Sequence, residues 1–247
     1  MRIFVAGASG VIGRRLVPML IEAGHEVHGG TRNGQGAEVL RALGATPWVA
    51  DVFDREALHA ALRRSQPEVV IHQLTDLPAG LDPARMGEAI ARNARIRAEG
   101  TANLVAATLA VGCSRMVAQS IAWAYAPGNG MRRESDPLDL DAAGSRATTV
   151  RGVVALETAV LHTAHLDGAV LRYGHLYGPG TGTDEPSDPV RLHVDAAAAA
   201  ALLAMQSKAL GAFNICEAND QVSNARAIQL LGWSETFRLC GPDRSGR

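Results

Sequence analysis

Three glycines near the start of the chain carry the clearest chemical signal. Gly7-Ala8-Ser9-Gly10-Val11-Ile12-Gly13 follows the apolar run Arg2 to Ala6 directly and opens a helical pattern. Glycine permits a tight turn and lets backbone N–H groups approach a pyrophosphate, whose charge then sits at the positive end of the helix. Gly7, Ser9, Gly10, Val11, Ile12 and Gly13 are therefore expected to hold a dinucleotide. The next apolar run ends in Gly30-Thr31-Arg32-Asn33 and has no acid. An acid there would bind a ribose 2′-hydroxyl, whereas Arg32 can pair with a 2′-phosphate and Thr31 can hydrogen-bond to it. The expected cofactor is NADP(H), with NAD(H) as second choice. The bland alternative for Arg32 is a solvated surface arginine.

Groups able to move protons collect at the ends of the later apolar runs. His72 ends the fourth run, with Gln73, Thr75 and Asp76 beyond it; Ser120 and Tyr125 follow the fifth. Thr149 and Arg151 open a helical pattern, and Tyr173, His175 and Tyr177 follow the sixth run. Tyr125 is the best single candidate for a proton donor. His72 reads more readily as a hydrogen-bonded core histidine than as a shuttle, and Tyr173 and Tyr177 as packing residues. Trp123, Leu77, Met86 and Tyr177 could wall an apolar pocket or simply belong to the core. Lys208 is the only lysine, so no other position offers an ammonium as base or pKa-lowering neighbour. Cys113, Cys216 and Cys240 have no metal-ligand spacing, and no metal site is expected.

The elements that must position these groups alternate between strand and helix from the start, the pattern of a parallel sheet built from βαβ units. Strands are expected at 2–6, 26–30, 46–50, 68–74, 115–120 and 169–173. Helices are expected at 10–23, 36–43, 55–64, 83–112 and 148–166, the fourth broken or bent. A Gly-, Thr-, Asp-, Ser- and Pro-rich stretch to Pro189 reads as a mobile loop. An alanine-rich helix after His193-Val194-Asp195, a strand 212–216, a helix at about 224–231 and a frayed tail from Gly241 complete the chain.

Its 247 residues are 47% hydrophobic and carry a formal net charge of −1. The balance argues against a nucleic-acid binder, since no basic excess exists to neutralise phosphates. No apolar run reaches the roughly 18 residues of a bilayer span. The chain opens on a strand and a glycine loop rather than a signal peptide, so a reducing cytoplasm is expected.

With Gly7/Gly10/Gly13, Asp51-Val52, Val70-Ile71-His72 and Gly100-Thr101-Ala102-Asn103-Leu104, the sequence resembles the short-chain dehydrogenase/reductase superfamily, in particular its extended and atypical epimerase/dehydratase-like members. Leu171-Arg172-Tyr173, Leu176-Tyr177-Gly178-Pro179-Gly180, His193-Val194-Asp195 and Gly211-Ala212-Phe213-Asn214-Ile215 extend the likeness over most of the chain. The resemblance implies an α/β doubly wound parallel sheet (Rossmann): a dinucleotide-binding core at about 1–175 and a small, truncated C-terminal substrate-capping region at about 176–247, together forming one domain. It places Asp51 and Val52 beside the adenine, and residues 72–75, with Gln73, Leu74 and Thr75, along the nicotinamide side. It further implies a homodimer through helices at about 85–112 and 148–166.

Three departures fall in one pocket. The family's catalytic tyrosine and lysine lie four residues apart on one helix, with a glutamate four further on. Counting back from Glu157, the lysine position is Val153 and the tyrosine position Thr149. The family's serine falls on Ile121, with Ser120 matching an earlier serine, and its helix asparagine falls on Arg97, with Asn93 one turn earlier. Ser120, Tyr125 and Thr149 are thus the candidate catalytic residues. The short cap favours a compact natural-product-like small molecule over a nucleotide sugar. The expected activity is an NADP(H)-dependent oxidoreductase with an unusual proton donor. A redox-neutral isomerase, cyclase or dehydratase and a non-catalytic NADP-binding protein are the alternatives.

Overall fold

The computed structural model describes residues 1–78 and 82–239. Nine strands and eight α-helices alternate through these residues: β1 Arg2–Ala6, α1 Val11–Glu22, β2 Glu26–Thr31, α2 Gly34–Ala42, β3 Thr46–Val49, α3 Arg55–Ser65 and β4 Val69–His72. Then come α4 Pro83–Arg95, a π-helical turn Ile96–Gly100, α5 Thr101–Ala110, β5 Arg115–Ile121, α6 Gly144–Leu161 and β6 Asp167–Tyr173. The chain continues with β7 His175–Tyr177, β8 Arg191–His193, α7 Val194–Gln206, β9 Gly211–Ile215 and α8 Ala225–Leu231. Seven strands form one parallel sheet in the order β3-β2-β1-β4-β5-β6-β9, while β7 and β8 pair separately. This is the doubly wound α/β fold expected from the alternation. The strand order reverses between β1 and β4, so a crevice opens at their C-terminal ends.

Side-chain alternation along β1 builds a core on each face. Ile3 and Val5 join α1 and the alanine face of α7, whereas Phe4 and Ala6 join α3, α5 and α6. The alanines 196–201 are buried, and their small side chains let α7 lie close on the sheet and on α1. Residues beyond 175 thus supply a strand and a helix to the main sheet layers. The Trp233 indole N–H donates to the Ala196 carbonyl at 2.8 Å, fastening the C-terminal segment to the first turn of α7.

The long helical pattern from Pro83 is broken, as expected, and the break is the π turn. His72 at the end of β4 explains its stability. Its Nδ1 accepts from the Leu74 N–H at 3.2 Å, so Nε2 carries the proton and donates to Thr101 Oγ1 at 2.9 Å. Thr101 in turn donates to the Ile96 carbonyl at 3.4 Å. One wide turn is therefore braced from inside the sheet.

Boundaries shift by a few residues elsewhere. β4 stops at His72, because Gln73 and Leu74 turn over the glycine loop. α6 spans Gly144–Leu161 rather than 148–166, and β6 crosses its last turn so closely that a Cβ at Gly168 would lie 2.1 Å from the Val160 carbonyl oxygen. The stretch expected to be mobile is held by its own bonds, with Thr181 Oγ1 donating to the Gly178 and Thr183 carbonyls at 2.8 Å. Cys240 and the tail from Gly241 lie outside the described residues. Gly168→Ala is expected to lower the free energy of unfolding by about 1–3 kcal/mol, read from urea titrations with an unchanged slope.

Candidate active site

The dinucleotide cradle forms where β1 meets α1. Gly7 has φ +82°, and a Cβ there would lie 2.7 Å from the Gln73 carbonyl oxygen. A Cβ at Gly13 would lie 2.4 Å from the Ala8 carbonyl oxygen. Both positions demand glycine, the first for conformation and closeness, the second for closeness alone. Gly10 caps α1 without a side-chain bond, and the first turn holds no acid. The first N–H groups of α1 therefore point out of the cradle with the helix dipole behind them, which suits a pyrophosphate.

Thr31 and Arg32 stand beside this loop. The Thr31 hydroxyl is buried and shares a hydrogen bond with Ser9 Oγ at 3.1 Å. Gly36 is required opposite it, since a Cβ there would meet Thr31 Oγ1 at 2.0 Å. The Arg32 guanidinium is half-exposed and reaches across the mouth to Asp76 at 3.3 Å. Asp76 also takes Arg92 at 3.0 Å, so one carboxylate aims two arginines. A cleft lined by Arg32, Asp51, Val52, Phe53, Leu74 and Ile96 opens next to them. Its shape brings the residues expected around the adenine together.

Where the resemblance expects the nicotinamide, Gln73 is buried and donates through Nε2 to the Tyr173 hydroxyl at 3.3 Å. Its Oε1 has no partner among the described residues. Gln119 donates to the Leu74 carbonyl at 3.3 Å and holds that turn down. The close-approach glycines of the cradle and the unpartnered amide oxygen both fit a bound dinucleotide.

The expected catalytic residues separate into two groups. Ser120 and Tyr125 belong to a buried network rather than to the open crevice. Ser120 Oγ donates to Glu157 Oε1 at 2.8 Å, and Arg172 grips both oxygens of Glu157 at 2.9 and 2.6 Å. Arg172 also donates to the Tyr125 hydroxyl at 2.7 Å, which donates to Asn214 Oδ1 at 2.6 Å. Burial pushes the Tyr125 phenol up to about 12, although Arg172 and Asn214 pull the other way. A phenol in that position is poorly suited to proton transfer near neutrality. Sequence position after a strand could not reveal this, because the partners come from β6, β9 and α6.

Thr149 lies elsewhere. Thr149, Val153 and Glu157 recur every four residues on the buried face of α6. Val153 packs in an apolar cluster with Val150, Ala124 and the partly buried Ile121. The positions where the resemblance expects lysine and serine thus share one apolar cluster. Asn93 is taken up by the Asp76 backbone N–H at 3.2 Å, while Arg97, on the π turn, is buried beside α6. A second cleft, of about 420 Å³, is lined by Trp123, Tyr125, Pro127, Arg132, Val190 and Gln221. Trp123 stacks on His175 with ring centres 5.2 Å apart. Among the described residues no group of three His, Cys, Asp or Glu side chains could hold a metal, and no helix is long and apolar enough to cross a membrane.

Glu157→Gln is expected to cost about 3–5 kcal/mol of stability, because it strands the buried Arg172 charge. Burial, with help from Arg97, holds the His72 imidazole down to about 4 from 6.5. Between these values the unfolded chain binds a proton that the folded chain refuses. Stability therefore falls as pH drops from 6.5 to 4, and His72→Gln should flatten that part of the stability–pH curve. Urea midpoints across that range for both proteins check this.

Comparison with known proteins agrees with this geometry. The family model of the NAD dependent epimerase/dehydratase family matches residues 3–211. A 3-diazoavenalumate denitrifying reductase of a Streptomyces species is 43% identical over 239 residues, covering 88% of this chain and 76% of the relative. A 4-hydroxy-2-methyl-3-oxo-4-farnesyl-3,4-dihydroquinoline-1-oxide ketoreductase of Stigmatella aurantiaca is 32% identical over 140 residues, 56% of this chain and 39% of its own length. In three dimensions the UDP-glucose 4-epimerase of Thermotoga maritima superposes with a TM-score of 0.75 at 20% identity, covering 96% of this chain and 94% of the other. With its cradle, its parallel sheet and a match over most of its length, the chain belongs to the NAD-dependent epimerase/dehydratase family, whose members are enzymes that bind a nicotinamide dinucleotide.

Proposed function

We propose that the chain is an NADP(H)-dependent reductase of a small, natural-product-like aromatic substrate whose hydride acceptor needs no phenol–ammonium couple. The carrying observation is the apolar cluster that contains Val153 and has Ile121 packed against it, hydrocarbon where the resemblance expects the family's lysine and serine. Such a site is ill-equipped to protonate a carbonyl oxygen. An aryl diazonium group makes no such demand, and the name of the Streptomyces relative points to a diazo compound. Bound in reduced form, the dinucleotide supplies a hydride: a C–H bond forms, the C–N bond breaks, dinitrogen leaves, and both electrons come from the hydride.

The chain's own residues bind and orient. Gly7, Ser9, Gly10, Val11, Ile12 and Gly13 hold the pyrophosphate, and Arg32 with Thr31 takes the 2′-phosphate. Asp51 and Val52 flank the adenine. Gln73, Leu74 and Thr75 line the nicotinamide side, where Gln73 Oε1 gains the partner it lacks. Thr149 offers the hydroxyl nearest the vacated tyrosine position, while Ser120 and Tyr125 hold α6 and β6 in place. The segments around Trp123 and from 176 onward cap the substrate, a flat ring against Trp123 being the best match. A homodimer through 85–112 and 148–166 is part of the same reading.

Turnover with 3-diazoavenalumate as probe tests the activity. Loss of NADPH absorbance matched by dinitrogen release supports it. Product without nucleotide oxidation would make the chain a redox-neutral catalyst, and tight nucleotide binding with no product a binding protein. In the same assay Arg32→Glu should weaken NADPH binding by about tenfold or more while NADH binding holds or improves. Equal loss for both nucleotides would remove the 2′-phosphate role.

A further inference from the structure

The second cleft holds a cation whose partner is missing. Arg132 lines it together with Trp123, Pro127, Val190 and Gln221. Its Nη2 is shut off from solvent and has no hydrogen-bond partner among the described residues. An N–H that has lost water and gained no acceptor is costly, more so on a charged group. A solvated surface arginine carries no such atom. At about 420 Å³ the cleft is within the size range of small-molecule sites.

Several contacts fix the guanidinium there. The Arg132 backbone N–H donates to the Gln221 carbonyl at 2.7 Å, and the Ser223 N–H donates to the Arg132 carbonyl at 2.8 Å. The residue is thereby bridged to Val222 in the segment after β9. Asn219 Oδ1 accepts from the Gln221 and Val222 N–H groups, each at 2.8 Å, and shapes that segment. Gly128 supplies the floor. A Cβ there would lie 2.9 Å from Cζ and Nη1 of Arg132 and closer still to Nη2, so the guanidinium rests against bare backbone.

Two further features select the ligand. Trp123, stacked on His175, offers an aromatic wall in the same lining. Asp220 also borders the cleft yet leaves Nη2 unpartnered, and its charge disfavours a doubly charged phosphate monoester. A carboxylate brings one charge, and its planar pair of oxygens matches the guanidinium fork.

We infer that Arg132 is the substrate-anchoring residue of this cleft, its guanidinium taking the carboxylate of an aromatic acid whose ring packs beside Trp123. This rests on the reductase reading above and narrows its substrate class to aryl carboxylates. It also orients the ligand. The dinucleotide cradle lies at β1 and β4, whereas Val222 follows β9, three strands beyond β4, on the order of 14 Å at the usual strand spacing. The carboxylate therefore belongs to the end of the substrate remote from its reducible group.

The test is calorimetric titration of trans-cinnamate and of its methyl ester into the full-length protein saturated with NADP+. The acid should bind more tightly than the ester by about tenfold or more. Arg132→Gln should remove that preference with NADP+ affinity unchanged, and Arg132→Lys should keep part of it. Gly128→Ala keeps the charge but displaces the guanidinium, so it should weaken the acid by at least about threefold and leave the ester alone. The inference fails if the native protein binds acid and ester equally, a comparison that needs no variant to fold. It fails too if the glutamine variant keeps the preference, or if its NADP+ affinity falls in parallel. Acetate competing as strongly as cinnamate would show an anion hole with no ring site and overturn the substrate class. Because only binding is read, failure of the reductase assay and failure here are separate results.

Discussion

The buried pair between Glu157 and Arg172 governs how the site is built. Both side chains are more than nine-tenths buried, and together they join α6 to β6 while Ser120 and Tyr125 add β5 and its following loop. A charge pair so far from water is held only when every oxygen and N–H has a partner in good geometry. Here the partners come from four segments, so α6 has little freedom to slide or rotate on the sheet. The pitch and facing of Val153 and Thr149, one and two turns toward the N-terminus, follow from that anchor.

That anchor explains how the chain can depart from its family at the reacting centre and keep the fold. The glutamate that orders the helix is present, and a hydroxyl and a hydrocarbon, Thr149 and Val153, stand where the resemblance expects the tyrosine and lysine. Val153 lies in an apolar cluster with Val150 and Ala124, and Ile121 packs against it. Had only the lysine gone, a serine at position 121 would face hydrocarbon without a partner. The two departures make physical sense together.

Arg97 belongs to the same logic. The π turn places its side chain inside the molecule beside α6, where Glu157 already takes Ser120 and Arg172. The nucleotide end shows the opposite arrangement: Arg32 and Arg92 share Asp76 at the surface, where water lowers the cost of a charge that waits for its ligand. The two arginine settings differ: Arg32 is half-exposed and steered by a carboxylate, and Arg97 is buried on the π turn.

Much of this was legible in the residues. Apolar periodicity and glycine spacing determined the alternating elements, the parallel sheet and the cradle, because each depends on local backbone geometry and on which side chains avoid water. With Lys208 as its only lysine, the chain has no ammonium on the helix where the resemblance expects one, and that is read from composition alone. The standing of Tyr125 was decided only in three dimensions. Its place after a strand is compatible with a free phenol, and only the arrival of Arg172, Asn214 and Glu134 from distant segments buries it in a network. The same holds for the π turn, whose bracing by His72 and Thr101 joins residues 29 apart, and for the enclosure of Arg97 against α6. Burial and pairing of polar groups are sums over the packed chain, and no local pattern of residue types contains them.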